Sequence, residues 1–283
     1  MDQDLNNQNW ADTPMQQDIS ADDEGPPETL PVPCSIVPHL SKSAILLDID
    51  GTLLDLAPTP REVWVPPGLA HTLEMLHRRT GGAMALVSGR SLNDIDLIFA
   101  PEQFPAVGGH GAEMRVAIDS ESVATHAPPM DKELKRRLAA IAKLSPGILL
   151  EDKGYSLALH YRLAPHAEQA IYAAVSLIRA DLPNAPIEVL PGKCVCEIKH
   201  SGFTKATGVL ELMNHEPFKG RQPLFIGDDV TDETVFAIMP DLNGLAFSVG
   251  RRAKGVNGHF DEPSDVREWL ARLLDDEKTI TAR

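Results

Sequence analysis

An apolar run, Ala44-Ile45-Leu46-Leu47, ends abruptly in Asp48-Ile49-Asp50-Gly51-Thr52. A continuous apolar stretch of this length reads as a strand buried on both faces, which is the condition of a parallel sheet. Two carboxylates two residues apart at the end of such a strand are costly unless something positive sits between them. A magnesium ion with a phosphate is the natural occupant. Gly51 allows a tight turn, and the amides and the Thr52 hydroxyl face phosphate oxygens well. The pattern therefore points to phosphoryl transfer, with one Asp as nucleophile and the other as acid/base. Calcium loops also carry D-x-D-G, but they require further spaced acids and a distal Glu that are absent here.

The same grammar continues downstream. A helix is expected near 67–79, then a second buried strand, Ala83-Met84-Ala85-Leu86-Val87, ending in Ser88-Gly89-Arg90. Ser91 starts a helix, with Asp94 as a weak capping-box partner. A short strand near Ala106-Val107 runs into Gly108-Gly109-His110-Gly111. Strand, helix, strand, helix predicts a doubly wound α/β fold, a Rossmann-like parallel sheet that binds ligands beyond the carboxyl ends of its strands.

Between about 114 and 198 the grammar changes. Hairpin strands are expected at 114–118 and 123–126, helices at 131–144 and 165–180, and strands at 149–151, 156–162, 187–190 and 195–199. Strands paired by tight turns, with helices between, predict an α+β cap inserted into the first domain. The alternating pattern then returns: a helix at 204–213, a buried strand at 223–226, Gly227-Asp228-Asp229, a helix at 231–238, a strand at 245–249 and a helix at 263–274.

Four groups fall at strand ends or helix starts of this scheme. Asp48/Asp50 come first. Ser88 offers a hydroxyl to a phosphoryl oxygen. Lys205 supplies a fixed cation. Asp228-Asp229 supplies carboxylate oxygens for a hard cation such as Mg²⁺. Taken singly, Ser88 reads more readily as a helix cap and Lys205 as a solvated lysine, while Asp228-Asp229 reads equally as a cap; their order along the chain is what carries the inference.

The chain has 283 residues and a formal charge of −15, which argues against nucleic acid as a partner. Residues 1–41 hold eight acids and no Lys or Arg, and read as a disordered acidic tail without the pattern of a signal peptide. No run reaches the length of a membrane span. The three cysteines, Cys34, Cys194 and Cys196, fit a reducing cytoplasm. Cys194-Val195-Cys196 reads as packed thiols on one strand face rather than a metal site.

Asp48–Thr52, Ser88, Lys205 and Gly227–Asp232 resemble the four motifs of the haloacid dehalogenase-like phosphohydrolases. More narrowly, residues 44–275 are similar to the trehalose-6-phosphate phosphatases. The matches are Val87-Ser88-Gly89-Arg90, His110-Gly111-Ala112-Glu113, Glu151-Asp152-Lys153-Gly154, Leu159-His160-Tyr161-Arg162, the segment 192–199 and Gly227-Asp228-Asp229-Val230-Thr231-Asp232-Glu233. This resemblance implies a catalytic core of 42–113 plus 199–283 and a cap at 114–198. It implies Mg²⁺-dependent hydrolysis of trehalose 6-phosphate through an aspartyl-phosphate. Asp48 would be the nucleophile, Asp50 the acid/base, and Ser88 and Lys205 the phosphate-holding pair. Asp48, Asp228 and Asp50 (through its carbonyl) would hold the metal, with Asp229 alongside. Gly89, Arg90, His110 and Gly111 on the core, and Glu151, Lys153, Arg162 and Glu197 on the cap, would hold the sugar phosphate.

The cap residues also make sense without the resemblance, because a disaccharide is recognised by carboxylates accepting from its hydroxyls and by Lys or Arg donating to its oxygens. His160 reads equally as a core histidine or a ligand. The chain departs from the family at Ala206, where Gly is usual, and at His200, where Pro is frequent, so the turn into the 204–213 helix is expected to differ. The alternatives are a phosphatase for another sugar phosphate such as sucrose phosphate, a mutase, and a non-catalytic sugar-phosphate-binding domain. A functional link to a trehalose-6-phosphate synthase is a further expectation.

Overall fold

Five consecutive residues of β1 (Ser43–Leu47) are buried, because both neighbours of this strand are parallel and both sheet faces are covered. A computed structural model describes residues 38–57, 62–118, 124–125, 127–192 and 194–281, all within one compact unit spanning Pro31–Arg283. The acidic tail to residue 37, Cys34, Val123, His126 and Lys193 lie outside the described residues.

The elements run α1 (Leu69–Arg79), β2 (Met84–Val87), α2 (Leu92–Phe99), β3 (Ala106–Gly108), β4 (Glu113–Arg115), β5 (Ala124–Thr125), α3 (Lys132–Ala140), β6 (Leu149–Asp152), β7 (Ser156–His160), α4 (Glu168–Asp181), β8 (Ile187–Gly192), β9 (Val195–His200), α5 (Lys205–Leu212), β10 (Gln222–Gly227), α6 (Glu233–Ile238), β11 (Leu245–Val249), β12 (Gly258–Phe260) and α7 (Pro263–Thr281). Eight strands form one sheet in the order β12-β11-β10-β1-β2-β3-β4-β5. Pairing is parallel from β12 to β3 and antiparallel beyond. The chain leaves β1 toward β2 on one side and returns to β10 on the other. That reversal of strand order is where such sheets open a crevice for ligands. Leu47 pairs with Ile226, so Asp48 and Asp228 emerge side by side.

Apolar side chains on both faces hold the sheet. Phe247, Phe260 and Trp269 pack as a tilted cluster with ring centroids 5.7–6.0 Å apart, fastening α7 to β11 and β12. β12 has no counterpart in the sequence reading, since three residues centred on His259 give no periodicity to detect.

The boundary of the insert also needs correction. The hairpin expected to open the cap at 114 instead extends the core sheet, with Val107 opposite Met114 and Met114 opposite Ala124. The inserted unit begins after it, near residue 130. α3 closes at Ala140 in a 3₁₀ turn, Ile141–Leu144, and α7 runs past the expected end at 274.

The insert has its own antiparallel sheet, β6-β7-β9-β8. Alternation divides its side chains. Leu157, Leu159, Cys196 and Ile198 face α3 and α4 in a separate apolar core. Ser156, Ala158, His160, Glu197, Lys199, Glu151 and Glu188 share the opposite face, as the strand register requires. Both Cys194 and Cys196 are free thiols packed against the apolar core. Cys194 lies in the turn at φ 60°, so it does not share a strand face with Cys196.

Candidate active site

Asp48 is the first residue beyond β1, and its side chain is buried. Lys205 reaches it from the first turn of α5, donating from Nζ to Asp48 Oδ1 at 2.7 Å and to Asp232 Oδ1 at 2.7 Å. Thr204 caps that helix in a reciprocal box with Thr207, so Ala206 leaves the cap intact. His200 forms its own local contact, accepting from the Gly202 amide at 3.1 Å. Asp232 holds the other side of the site. Its Oδ2 accepts from the amides of Asp228, at 2.9 Å, and Asp229, at 3.1 Å. The Thr52 hydroxyl donates to Asp228 Oδ1 at 3.3 Å. Gly51, at φ +81°, is required because a Cβ there would lie 2.1 Å from Asp228 Oδ2.

The carboxylates of Asp48, Asp228 and Asp232 present oxygens within 4.8 Å of one another. Burial pushes Asp48 up to about 7, with Lys205 opposing and Asp228 adding to the rise. Burial, then Asp232 and Asp229, raise Asp228 to about 6. Burial raises Asp232 to about 8 against the pull of Lys205. Burial works against the Lys205 ammonium too, but Asp232 and Asp48 outweigh it and raise its pKa. One ammonium among this many acids leaves negative charge to be balanced, and the donors are all hard oxygens. A divalent cation fits such a set.

One carboxylate expected alongside the metal, Asp229, is engaged elsewhere. Asp229 Oδ1 accepts from Thr231 N and Oγ1, both at 2.7 Å, and from Asp232 N at 3.1 Å. Although burial pushes it up, Lys205 and these donors keep its pKa below the ordinary value. The Asp50 carboxylate sits in the fork of Arg90, which donates from Nε to Oδ2 and from a terminal nitrogen to Oδ1, both at 2.6 Å. Arg90 was expected to hold substrate. Asp232, to which the fourth motif by itself assigns no role, completes the carboxylate cluster.

Ser88 is buried at the end of β2, and its Oγ accepts from Arg90 N at 3.1 Å. Gly89 and Gly111 make room for their neighbours. A Cβ on Gly89 would meet His110 Nε2 at 2.4 Å, and one on Gly111 would meet the Thr204 carbonyl at 2.1 Å. His110 takes the left-handed conformation at φ 54°. Burial pulls its pKa down to about 4 against Glu197, so the ring is neutral at neutral pH.

His110 Nε2 lies 3.8 Å from Glu197 Oε2 on β9, joining core to cap. Glu197 in turn accepts from Ser156 Oγ at 2.9 Å and Lys153 Nζ at 3.4 Å. Glu151 pairs with His160 Nε2 at 2.9 Å, so His160 belongs to the polar face rather than the apolar core. Lys199 is buried beside Glu188 at 3.0 Å and also donates to the Phe203 carbonyl. Arg162 is exposed just beyond β7. The structure thus brings Glu197, Lys153 and His110 together, with Glu151 on the same cap face.

Residues 46–265 match the trehalose-phosphatase family model. The trehalose-6-phosphate phosphatase of Escherichia coli is 37% identical over 243 residues, covering 85% of this chain and 90% of that protein. The "Probable trehalose-phosphate phosphatase" of Sinorhizobium fredii is 42% identical over 213 residues, covering 75% and 79%. Among solved structures, the C-terminal domain of a Candida albicans trehalose-6-phosphate phosphatase superposes with a TM-score of 0.69 at 21% identity, covering 83% and 92%. A Bacteroides thetaiotaomicron phosphatase of the haloalkanoate (HAD) superfamily gives 0.55 at 17% identity, covering 83% and 96%. These two establish the fold, an α/β core of the haloacid dehalogenase type. By its family match and its close relatives, the chain belongs to the trehalose-phosphatase family, a family of enzymes.

Proposed function

We propose that this protein hydrolyses trehalose 6-phosphate to trehalose and phosphate in two steps, through an aspartyl-phosphate on Asp48. The observation that carries the reading is the buried Asp48 carboxylate, 2.7 Å from Lys205 and clustered with Asp228 and Asp232 beneath a polar cap face. Asp48 attacks phosphorus, and Lys205 neutralises the nucleophile's neighbourhood and the transferring group. Ser88 holds a phosphoryl oxygen. Asp50 gives a proton to the departing sugar oxygen and then takes one from the attacking water. Asp48 and Asp228, with the Asp50 carbonyl, would hold Mg²⁺. Asp232 supports them through Lys205 and the two amides. A bound Mg²⁺ would supply positive charge for the phosphoryl oxygens, lowering the cost of bringing a dianion to a carboxylate.

The substrate assignment rests on the cap. Glu151, Lys153, Arg162 and Glu197 would bind sugar hydroxyls from above, with Gly89, His110 and Gly111 forming the core side. The functional division is a catalytic core and a specificity cap of about 130–200. Cys194 and Cys196 are free thiols, which suits a reducing cytoplasm. A solved neighbour described as a trehalose synthase regulatory protein domain shares the fold at 14% identity, and a functional link to a synthase is part of the proposal.

Phosphate release from trehalose 6-phosphate, sucrose 6-phosphate, glucose 6-phosphate and mannose 6-phosphate, with Mg²⁺ or EDTA, tests this reading. Trehalose 6-phosphate should be preferred, and EDTA should abolish release. Preference for another sugar would move the assignment within the superfamily. Absence of release from any of them would favour a binding role.

A further inference from the structure

We propose that Arg90 is a positioning residue, which holds the Asp50 carboxylate in the orientation that delivers its proton to the departing sugar oxygen. This inference rests on the reading of Asp50 as acid/base. The resemblance assigns Arg90 to substrate, yet its guanidinium makes two 2.6 Å bonds to the two oxygens of Asp50. A bidentate fork fixes the plane of a carboxylate as well as its distance, which a single donor cannot do. The side chain of Asp50 is about one-third exposed at 32%, whereas that of Arg90 is held at 13%, so the arginine is the better-anchored partner.

Its backbone explains the anchoring. Arg90 N donates to Ser88 Oγ at 3.1 Å, and its carbonyl accepts from Gly109 N at 2.7 Å. The residue is pinned at both ends of its peptide between the end of β2 and the loop after β3. Ser88 and Asp50, groups from two separate motifs, are thereby both held by one residue, which lies 40 positions from Asp50.

The proton inventory defines what is oriented. In the first step the Asp48–phosphorus bond forms and the sugar oxygen–phosphorus bond breaks. The proton on Asp50, carried on a lone pair facing away from Arg90, passes to the sugar oxygen and leaves a carboxylate that the two-donor fork stabilises. In the second step the carboxylate takes a proton from water, whose oxygen displaces phosphate from Asp48. An aryl oxide leaves without needing that first proton; a sugar alkoxide does not. Loss of the Asp50 orientation therefore costs the sugar substrate more than the aryl one.

The test is single-turnover release of the leaving group, with Mg²⁺, from trehalose 6-phosphate and from p-nitrophenyl phosphate. It compares wild type, Arg90→Ala, Arg90→Lys, Asp50→Asn and the double variant Arg90→Ala/Asp50→Asn. For Arg90→Ala the ratio of sugar to aryl rates should fall on the order of 10²-fold, the scale of a lost general acid, with Arg90→Lys intermediate. The Arg90 change should add nothing further in the Asp50→Asn background. Equal loss with both substrates, seen mainly in KM and additive with Asp50→Asn, would overturn the proposal and return Arg90 to phosphate binding. Should Arg90→Ala not fold, Arg90→Lys, which keeps the charge but loses the fork, carries the same comparison. Wild type that fails on trehalose 6-phosphate would instead defeat the phosphatase reading itself.

Discussion

At the residue scale, the central feature is one cation shared between two buried acids. Lys205 sits between Asp48 and Asp232 at 2.7 Å each. Lys205→Ala leaves both carboxylates facing each other without a counter-ion, and should destabilise the fold by about 3–5 kcal/mol, measured by urea unfolding. The acid cluster also makes metal binding pH-dependent. Asp48, Asp228 and Asp232 keep their protons to about 7, 6 and 8 in the folded protein, against 3.8 ordinarily. In EDTA their contribution to stability is full below the ordinary value and is lost as pH climbs through that window. Mg²⁺ bound as proposed to Asp48 and Asp228 would displace those protons. The gain in Tm from saturating Mg²⁺ over EDTA should therefore grow between about pH 5 and about pH 8. A gain independent of pH would count against these ligands. Asp48, Ser88, Lys205 and Asp228 were legible because each ends a strand or begins a helix on the ligand side of a parallel sheet. Asp232 and the Arg90 fork were not. Their roles lie in partners that only the fold supplies: two amides of a turn for Asp232, and a carboxylate 40 residues away for Arg90.

At the element scale, glycines determine how closely the loops around the site approach. Gly111 lies against the Thr204 carbonyl that opens α5, whereas Gly154, at φ +86°, has nothing within 4 Å. Gly154→Ala should cost only the left-handed backbone term, about 1–2 kcal/mol. Gly111→Ala adds a backbone clash to that term and should cost about 3 kcal/mol or more. Paired thermal or urea unfolding of the two variants checks the order, and an equal cost would contradict the packing described. The long elements were legible because β2 and the stretches Ala44–Leu47 of β1 and Pro223–Ile226 of β10 are apolar and α1 and α4 carry a 3.6-residue period. The β4–β5 hairpin was assigned to the wrong sheet. Antiparallel pairing by short turns looks the same whether it extends a core sheet or begins a new one, and only the hydrogen bonds of β4 to β3 decide.

At the scale of the whole molecule, the proposed function assigns chemistry and specificity to different parts of the chain. The β1–β10 crevice would supply the phosphoryl site, and Glu197 of the cap sheet, paired with Lys153, would supply part of the sugar site. Glu197 touches both parts, through His110 at 3.8 Å and Ser156 at 2.9 Å. Glu197→Ala should raise KM for trehalose 6-phosphate by roughly 10- to 10²-fold, the equivalent of one charged hydrogen-bonding group, and affect p-nitrophenyl phosphate much less. Steady-state kinetics on both substrates separates this from a general loss of activity. The reaction itself is tested most directly by phosphate release from trehalose 6-phosphate in Mg²⁺, measured for wild type beside Asp48→Asn. The proposed mechanism predicts steady release by wild type and none by the variant; ordinary turnover by Asp48→Asn would contradict it.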